Sequence, residues 1–86
     1  MDYEYDVDKD RENRRKHGLP LILGRAAIES MISEKIDLDS SDEERWVAYG
    51  FASGRLMVCV YTVRESSYRL ISVSRAMRRE ERECLL

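Results

Sequence analysis

The 86-residue chain holds one histidine, one proline, one tryptophan, one phenylalanine and only two cysteines. Two thiols, Cys59 and Cys84, cannot build a framework of bridges, and no C-x-x-C spacing supports a zinc site. Cys59 lies in an apolar run and reads as a buried thiol. No stretch of about 18 apolar residues is present, so no membrane-spanning helix is expected. The N-terminus shows no basic lead-in followed by an apolar segment. A reducing, cytoplasmic home is the expectation. Phosphate-cradling glycine loops and the G-x-S-x-G elbow are missing as well. The acidic run from Asp37 to Glu44 lacks the central glycine of a calcium loop. No metal and no other cofactor is expected.

What is present suffices for a folded core: 43% of residues are hydrophobic and 37% charged. A domain of this size buries only about 60% of its unfolded surface, so one domain over 1–86 with a thin core and an open site is expected. The net charge of −2 conceals an asymmetry. Met1 to Arg45 carries eight Lys/Arg and thirteen Asp/Glu; Trp46 to Leu86 carries seven Arg, no Lys and four Glu. Arginine suits forked contact with phosphate, and a local basic face attracts a polyanion, or an acidic protein, whatever the total charge.

Tyr3–Asp6 reads as a short edge strand and Lys9–Lys16 as a helix capped by Asp8 and closed by Gly18. Leu21, Gly24, Ala27, Ile28, Met31 and Ile32 recur at helical spacing after Pro20. Ile36 and Leu38 alternate with charged residues in a strand leading to an acidic loop through Ser40, Ser41, Asp42 and Glu43. Arg45–Phe51, Leu56–Val63 and Tyr68–Val73 are strands joined by turns at Ala52-Ser53-Gly54 and Glu65-Ser66-Ser67. Leu56–Val63 is apolar at every alternate position on both sides, which fits a strand covered on both faces. Arg69, Ile71 and Val73 are expected to share one face. A last helix runs from about Ser74 to Cys84, capped by Ser72 or Ser74. The class is α+β: a small antiparallel sheet with N-terminal helices and a C-terminal helix.

Three groups of cations are candidates for a site. Arg75, Arg78, Arg79 and Arg82 stand at i, i+3, i+4 and i+7, one stripe if all are helical. The stripe reads either as a phosphate- or partner-facing surface or as a solvated mixed-charge helix. Arg64 and Arg69 flank the second turn and point to one end of the sheet; as plain surface residues they would blunt strand ends. Lys16 and His17 end the first helix. His17 could move a proton in phosphodiester cleavage, or simply complement the helix dipole. Trp46 and Phe51 face the core, which their residue types favour, or a partner surface.

Several motifs occur in the order of one known family. Tyr5-Asp6, Lys9, Asn13 and Lys16-His17-Gly18 resemble the N-terminal pattern of BrnT toxins. Glu44-Arg45 with Gly50, Leu56-Met57-Val58-Cys59-Val60-Tyr61-Thr62 with Arg64, Arg69-Leu70-Ile71-Ser72, and Ala76 with Arg78 and Glu80 resemble its later segments. The resemblance implies a RelE-like fold and a ribonuclease toxin of a type II toxin–antitoxin module, cleaving RNA without metal. It implies neutralisation by a BrnA-like ribbon-helix-helix antitoxin in a two-plus-two complex that reaches operator DNA only through the antitoxin. Lys16, His17, Arg64, Arg69 and Arg78 are then the candidate catalytic residues. Arg75, Arg79 and Arg82 are the candidate RNA-phosphate contacts. Three departures stand out: Ser74 replaces an arginine, Leu21-Ile22-Leu23-Gly24 replaces F-x-E-A, and Cys84 replaces a late tyrosine. Ser74 opens an alternative, a catalytically weak relative that serves as an antitoxin-binding module.

Overall fold

The computed structural model describes residues 2–38 and 43–85. The elements run β1 (Asp2–Tyr5), α1 (Val7–His17), α2 (Leu23–Glu29), β2 (Ser33–Asp37), β3 (Arg45–Ala52), β4 (Arg55–Arg64), β5 (Ser67–Arg75) and α3 (Arg78–Leu85). The strands form one sheet in the order β1-β5-β4-β3-β2. Neighbours from β2 through β5 are antiparallel, as two hairpins require. β1 joins parallel to β5, placing Tyr3 beside Tyr68 and Tyr5 beside Leu70. The protein is therefore α+β with a mixed sheet, its single parallel pair at an edge. No described helix is long and apolar enough to cross a membrane.

Local chemistry explains the element ends. Asp6, rather than Asp8, caps α1: its carboxylate accepts from the Asp8 and Lys9 amides at 2.7 and 3.4 Å. Gly18 ends α1 at φ +68°, its N–H donating to the Arg14 carbonyl at 2.9 Å, as the left-handed position after a helix permits. α2 is shorter than its periodicity suggests. Ser30 closes it, its hydroxyl donating to the Ala26 carbonyl, and Ile32 emerges exposed beyond. Ser53 and Gly54 turn the first hairpin with both φ values positive, which matches the twist of the flanking strands. The expected acidic loop through Ser40, Ser41 and Asp42 lies outside the described residues.

The sheet has two unlike faces. On the helical face, Ala48, Met57, Cys59, Tyr61, Leu70 and Val73 pack with Leu19, Leu21, Ala27 and Ile28. A Cβ on Gly50 would lie 1.8 Å from the Ala27 carbonyl oxygen, so α2 rests on the bare backbone of β3. On the outer face, Val47, Tyr49 and Leu56 meet Val58, Val60, Ala76 and Cys84. β4 is thus covered on both sides, as its pattern indicates. Trp46 is half-buried against the main core, whereas Phe51 is exposed rather than in the core.

Two corrections concern the C-terminal third. β5 runs on to Arg75, and α3 begins only at Arg78. Neither Ser72 nor Ser74 caps α3; Glu80 reaches back instead and accepts from the Met77 amide at 2.8 Å. The expected helical stripe is therefore broken, because Arg75 is a strand residue. β5 also contains an irregularity: Ser72 pairs with Val60 but Leu70 pairs with Tyr61, leaving Ile71 as the extra residue. Alternation restarts there, so Arg69 and Val73 face opposite sides rather than sharing one.

Candidate functional site

Asn13 organises the candidate site. Past Leu70, β5 has no strand on its outer side, because β1 ends at Tyr5. The buried Asn13 side chain fills that role. Its Nδ2 donates to the carbonyls of Val73 at 2.9 Å and Leu19 at 2.8 Å, and its Oδ1 accepts from the Val73 N–H at 3.0 Å. An amide pairs with a peptide group as another peptide would, so α1 is stitched side-on to the open margin of β5. The C-terminal end of α1, with Lys16 and His17, is thereby held beside Ser72, Ser74 and Arg75.

Two clefts follow this margin. One of about 220 Å³ is lined by Lys9, Glu12, Asn13, Lys16, His17, Ile71 and Ser72. The other, about 480 Å³, is lined by Lys16, His17, Ser74, Arg75, Met77 and Glu80. Lys16 and His17 border both. Arg75 donates through Nη1 to the His17 carbonyl at 3.2 Å, which fixes the guanidinium at the end of α1. Lys16 Nζ lies 3.5 Å from Glu12, so its charge is partly matched but exposed. Glu12 is held below the usual carboxylate range, mainly by the Arg15 hydrogen bond, with Arg15 and Lys16 charges adding to it.

Arg64 and Arg69 stand at the opposite end of β4 and β5. The eight residues singled out in the sequence therefore do not meet at one patch. From Arg69 to Arg75 is six residue steps, about 20 Å along a strand. Arg64 Nη2 lies 2.8 Å from Glu43 and Arg69 Nη1 lies 3.6 Å from Glu4. The Arg64 hydrogen bond holds the Glu43 carboxyl below its usual range, with the charges of Arg64, Arg45 and Arg69 pulling the same way. Arg45 belongs to this cluster and was not singled out from sequence. A charged residue opening a strand carries no local signal; Arg45 is linked to Arg64 and Arg69 through Glu43, on which all three charges act. Thr62, paired with Arg69 across β4 and β5, is the second residue missed. Its Oγ1 is buried without a hydrogen-bond partner among the described residues.

Arg78, Arg79 and Arg82 are exposed on α3, and Arg79 lies 3.9 Å from Glu83. Arg78 follows Met77, which borders the larger cleft. α3 has no buried residue and is fastened by Glu80, whose Oε2 accepts from the Tyr49 hydroxyl at 3.4 Å, and by Cys84 against the outer-face cluster. No group of three or more His, Cys, Asp or Glu side chains among the described residues is arranged to hold a metal ion.

Lys16, His17 and Arg75, set beside two polar clefts along the part of the β5 margin that β1 leaves uncovered, form a surface suited to a polyanion. No curated protein matches the chain. A family model described as the ribonuclease toxin BrnT of type II toxin–antitoxin systems matches residues 5–81, a span that takes in α1, both clefts, the Arg45–Arg64–Arg69 cluster and the first half of α3. The chain belongs to the BrnT family of ribonuclease toxins.

Proposed function

We propose that residues 1–86 act as a single RelE-like toxin domain that cleaves single-stranded RNA laid along the outer margin of β5. The observation that carries this reading is the shared lining of the two clefts: Lys16 and His17 border both, with Ser72, Ser74 and Arg75 along the strand beside them. The Arg64–Arg69–Arg45 cluster, at the other end of β5 and on the strands beside it, supplies further phosphate contacts. Arg78, Arg79 and Arg82 on α3 supply outlying ones.

The chemistry is transphosphorylation within the RNA. The 2′-hydroxyl attacks the adjacent phosphorus, the bond to the 5′-oxygen breaks, and a cyclic phosphate and a 5′-hydroxyl result. One group removes the 2′ proton and another delivers a proton to the departing oxygen; these transfers are assigned to Lys16 and His17. Guanidinium donors, Arg75 first among them, stabilise the charge that builds on the phosphoryl oxygens. These cations carry the task a metal would otherwise perform. In the cell, the toxin resides in the cytoplasm. A BrnA-like ribbon-helix-helix antitoxin neutralises it in a two-plus-two complex, and operator DNA is reached only through that antitoxin.

The test is cleavage of a labelled RNA in EDTA by the purified chain and by Lys16→Ala, Arg69→Ala and Arg75→Ala variants of matched thermal stability. Loss of about 10²-fold or more in Lys16→Ala and Arg75→Ala is expected. Cleavage by those variants at the rate of the unaltered chain refutes the site. A second reading has one observation in its favour. Ser74, where the family resemblance has an arginine, borders the larger cleft with only a hydroxyl. If the unaltered chain is as inactive as Arg75→Ala, the antitoxin-binding module is the function.

A further inference from the structure

Of the three aromatic residues of β3, Tyr49 is buried and Trp46 half-buried, while Phe51 is 38% exposed. The backbone of Phe51 is nonetheless fixed: its N–H donates to the Ser30 hydroxyl at 2.7 Å, and its carbonyl lies 3.0 Å from the same hydroxyl. A cleft of about 210 Å³ lies against it at the end of the sheet, where the first hairpin turns. Its lining includes Phe51, Gly54, Arg55, Leu56, Arg75 and Glu81. Leu56 pairs with Phe51 across the hairpin and Arg55 with Ala52. A Cβ on Gly54 would meet nothing within 4 Å, so the turn leaves the approach open. Arg75 borders this cleft and also the larger of the two beside α1. The clefts therefore form a series: Lys16 and His17 join the first two, and Arg75 joins the second to the third. Neither Arg55 nor Arg75 has a carboxylate partner among the described residues.

We propose that this third cleft is a nucleobase subsite, in which one unpaired base of the RNA, next to the phosphate held at Arg75, stacks on Phe51 while Arg55 holds its backbone. The inference rests on the nuclease reading for the path of the strand. An exposed ring beside unneutralised guanidinium groups is the combination that suits single-stranded nucleic acid: the ring takes the face of a base and the cations take the phosphates. Glu81, the one carboxylate in the lining, decides which part of the nucleotide enters. It repels a phosphate, whereas the exocyclic amino group of adenine, cytosine or guanine donates to a carboxylate. Uracil has no such group and is the least favoured occupant. An acidic peptide would be drawn by Arg55 and Arg75, but its side chains meet the same repulsion from Glu81 and make no use of an exposed ring. Because Arg75 is common to the second and third clefts, a strand with its reacting phosphate in one has its neighbouring nucleotide beside the other.

Fluorescence anisotropy with a short 2′-O-methyl RNA tests the subsite; the blocked hydroxyl keeps the strand from being cut. A single abasic residue is walked along the strand, and circular dichroism verifies that each protein variant is folded. The unaltered chain is expected to lose about tenfold in affinity when the abasic residue falls at one particular position, and little elsewhere. Phe51→Ala is expected to bind the intact strand about tenfold more weakly and to become indifferent to that position. Phe51→Tyr keeps a ring and is expected to behave as the unaltered chain does. Arg55→Ala is expected to weaken intact and abasic strands alike and to lower the salt dependence by about one charge; an unchanged slope removes Arg55 from the site. The proposal is overturned if no position carries a penalty, if the penalty survives in Phe51→Ala, or if Phe51→Tyr lacks it. The two readings fail separately. A chain with the expected binding pattern that leaves ordinary RNA intact refutes the nuclease reading alone, and a chain that cleaves RNA but shows no abasic penalty refutes the subsite alone.

Discussion

Replacing Asn13 by alanine tests the idea that one side chain does the work of a missing strand. The substitution removes three hydrogen bonds, to the Val73 N–H, the Val73 carbonyl and the Leu19 carbonyl. The site is buried, with Asn13 only 5% exposed, so water cannot fully replace the amide. Each lost bond costs about 0.5–1.5 kcal/mol net, and an orphaned buried donor costs more; a total near 3 kcal/mol follows. For a domain of this length, each kcal/mol lowers the melting temperature by about 4–8 °C, so a drop of about 12–24 °C is expected. Thermal and urea unfolding followed by far-UV circular dichroism measure it. Arg11→Ala is the companion control, because Arg11 has only an exposed ion pair with Asp8 at 3.5 Å and should change stability by less than about 0.5 kcal/mol. Exchange of the Val73 amide proton should accelerate in the Asn13 variant beyond the global loss of stability. A cost below about 1 kcal/mol, or unchanged protection of that amide, would mean that α1 is held to β5 by its apolar contacts alone.

Three further outcomes follow from the geometry. Gly50→Ala would push a methyl group into the Ala27 carbonyl 1.8 Å away; α2 must move, and a loss exceeding about 3 kcal/mol, read by urea titration, is expected. Asp10 accepts from the Leu21 amide at 2.8 Å and pairs with Arg14 at 2.9 Å, and these hold its carboxyl below the usual range, the backbone bond first. Its stabilising contribution is therefore complete above the unfolded carboxylate range and disappears as pH falls through the lower folded value. Asp10→Asn should flatten the acid limb of the stability profile, and an unchanged limb refutes it. Burial pushes the Cys59 thiol up to about 12, while Cys84 is only half-buried. A thiol reagent at pH 8 should titrate one group in the folded chain and two after denaturation, with immediate reaction of both counting against the packing of β4.

Much of this architecture could be read from the residues because the relevant forces are local. The double-sided apolar pattern of Leu56–Val63 anticipates a strand buried on both faces, and Gly18 anticipates the end of α1. Two features resist such reading. The irregularity at Ile71 reverses the alternation of β5, so no count by twos could place Arg69 and Val73 correctly. Arg75 has helical spacing to Arg78, Arg79 and Arg82 but follows the strand, because pairing with Met57 outweighs a weak helical preference. The site divides in the same way. Lys16 and His17 follow from the helix end they occupy and Arg64 from its turn, whereas Thr62 meets Arg69 only through cross-strand register and Arg45 joins Arg64 only through Glu43. The separation of the arginines into two ends of one strand depends on strand length rather than residue type.

The parallel pairing of β1 with β5 bears on how the chain comes to be folded. The first strand to leave the ribosome can find its neighbour only after residues 67–70 have been made. Contacts this distant in sequence are slow to close, and the margin that Asn13 seals belongs to the same late strand. A nascent fragment lacking β5 therefore has neither a complete sheet nor either cleft. On the proposed site, cleavage can begin only once β5 has been made.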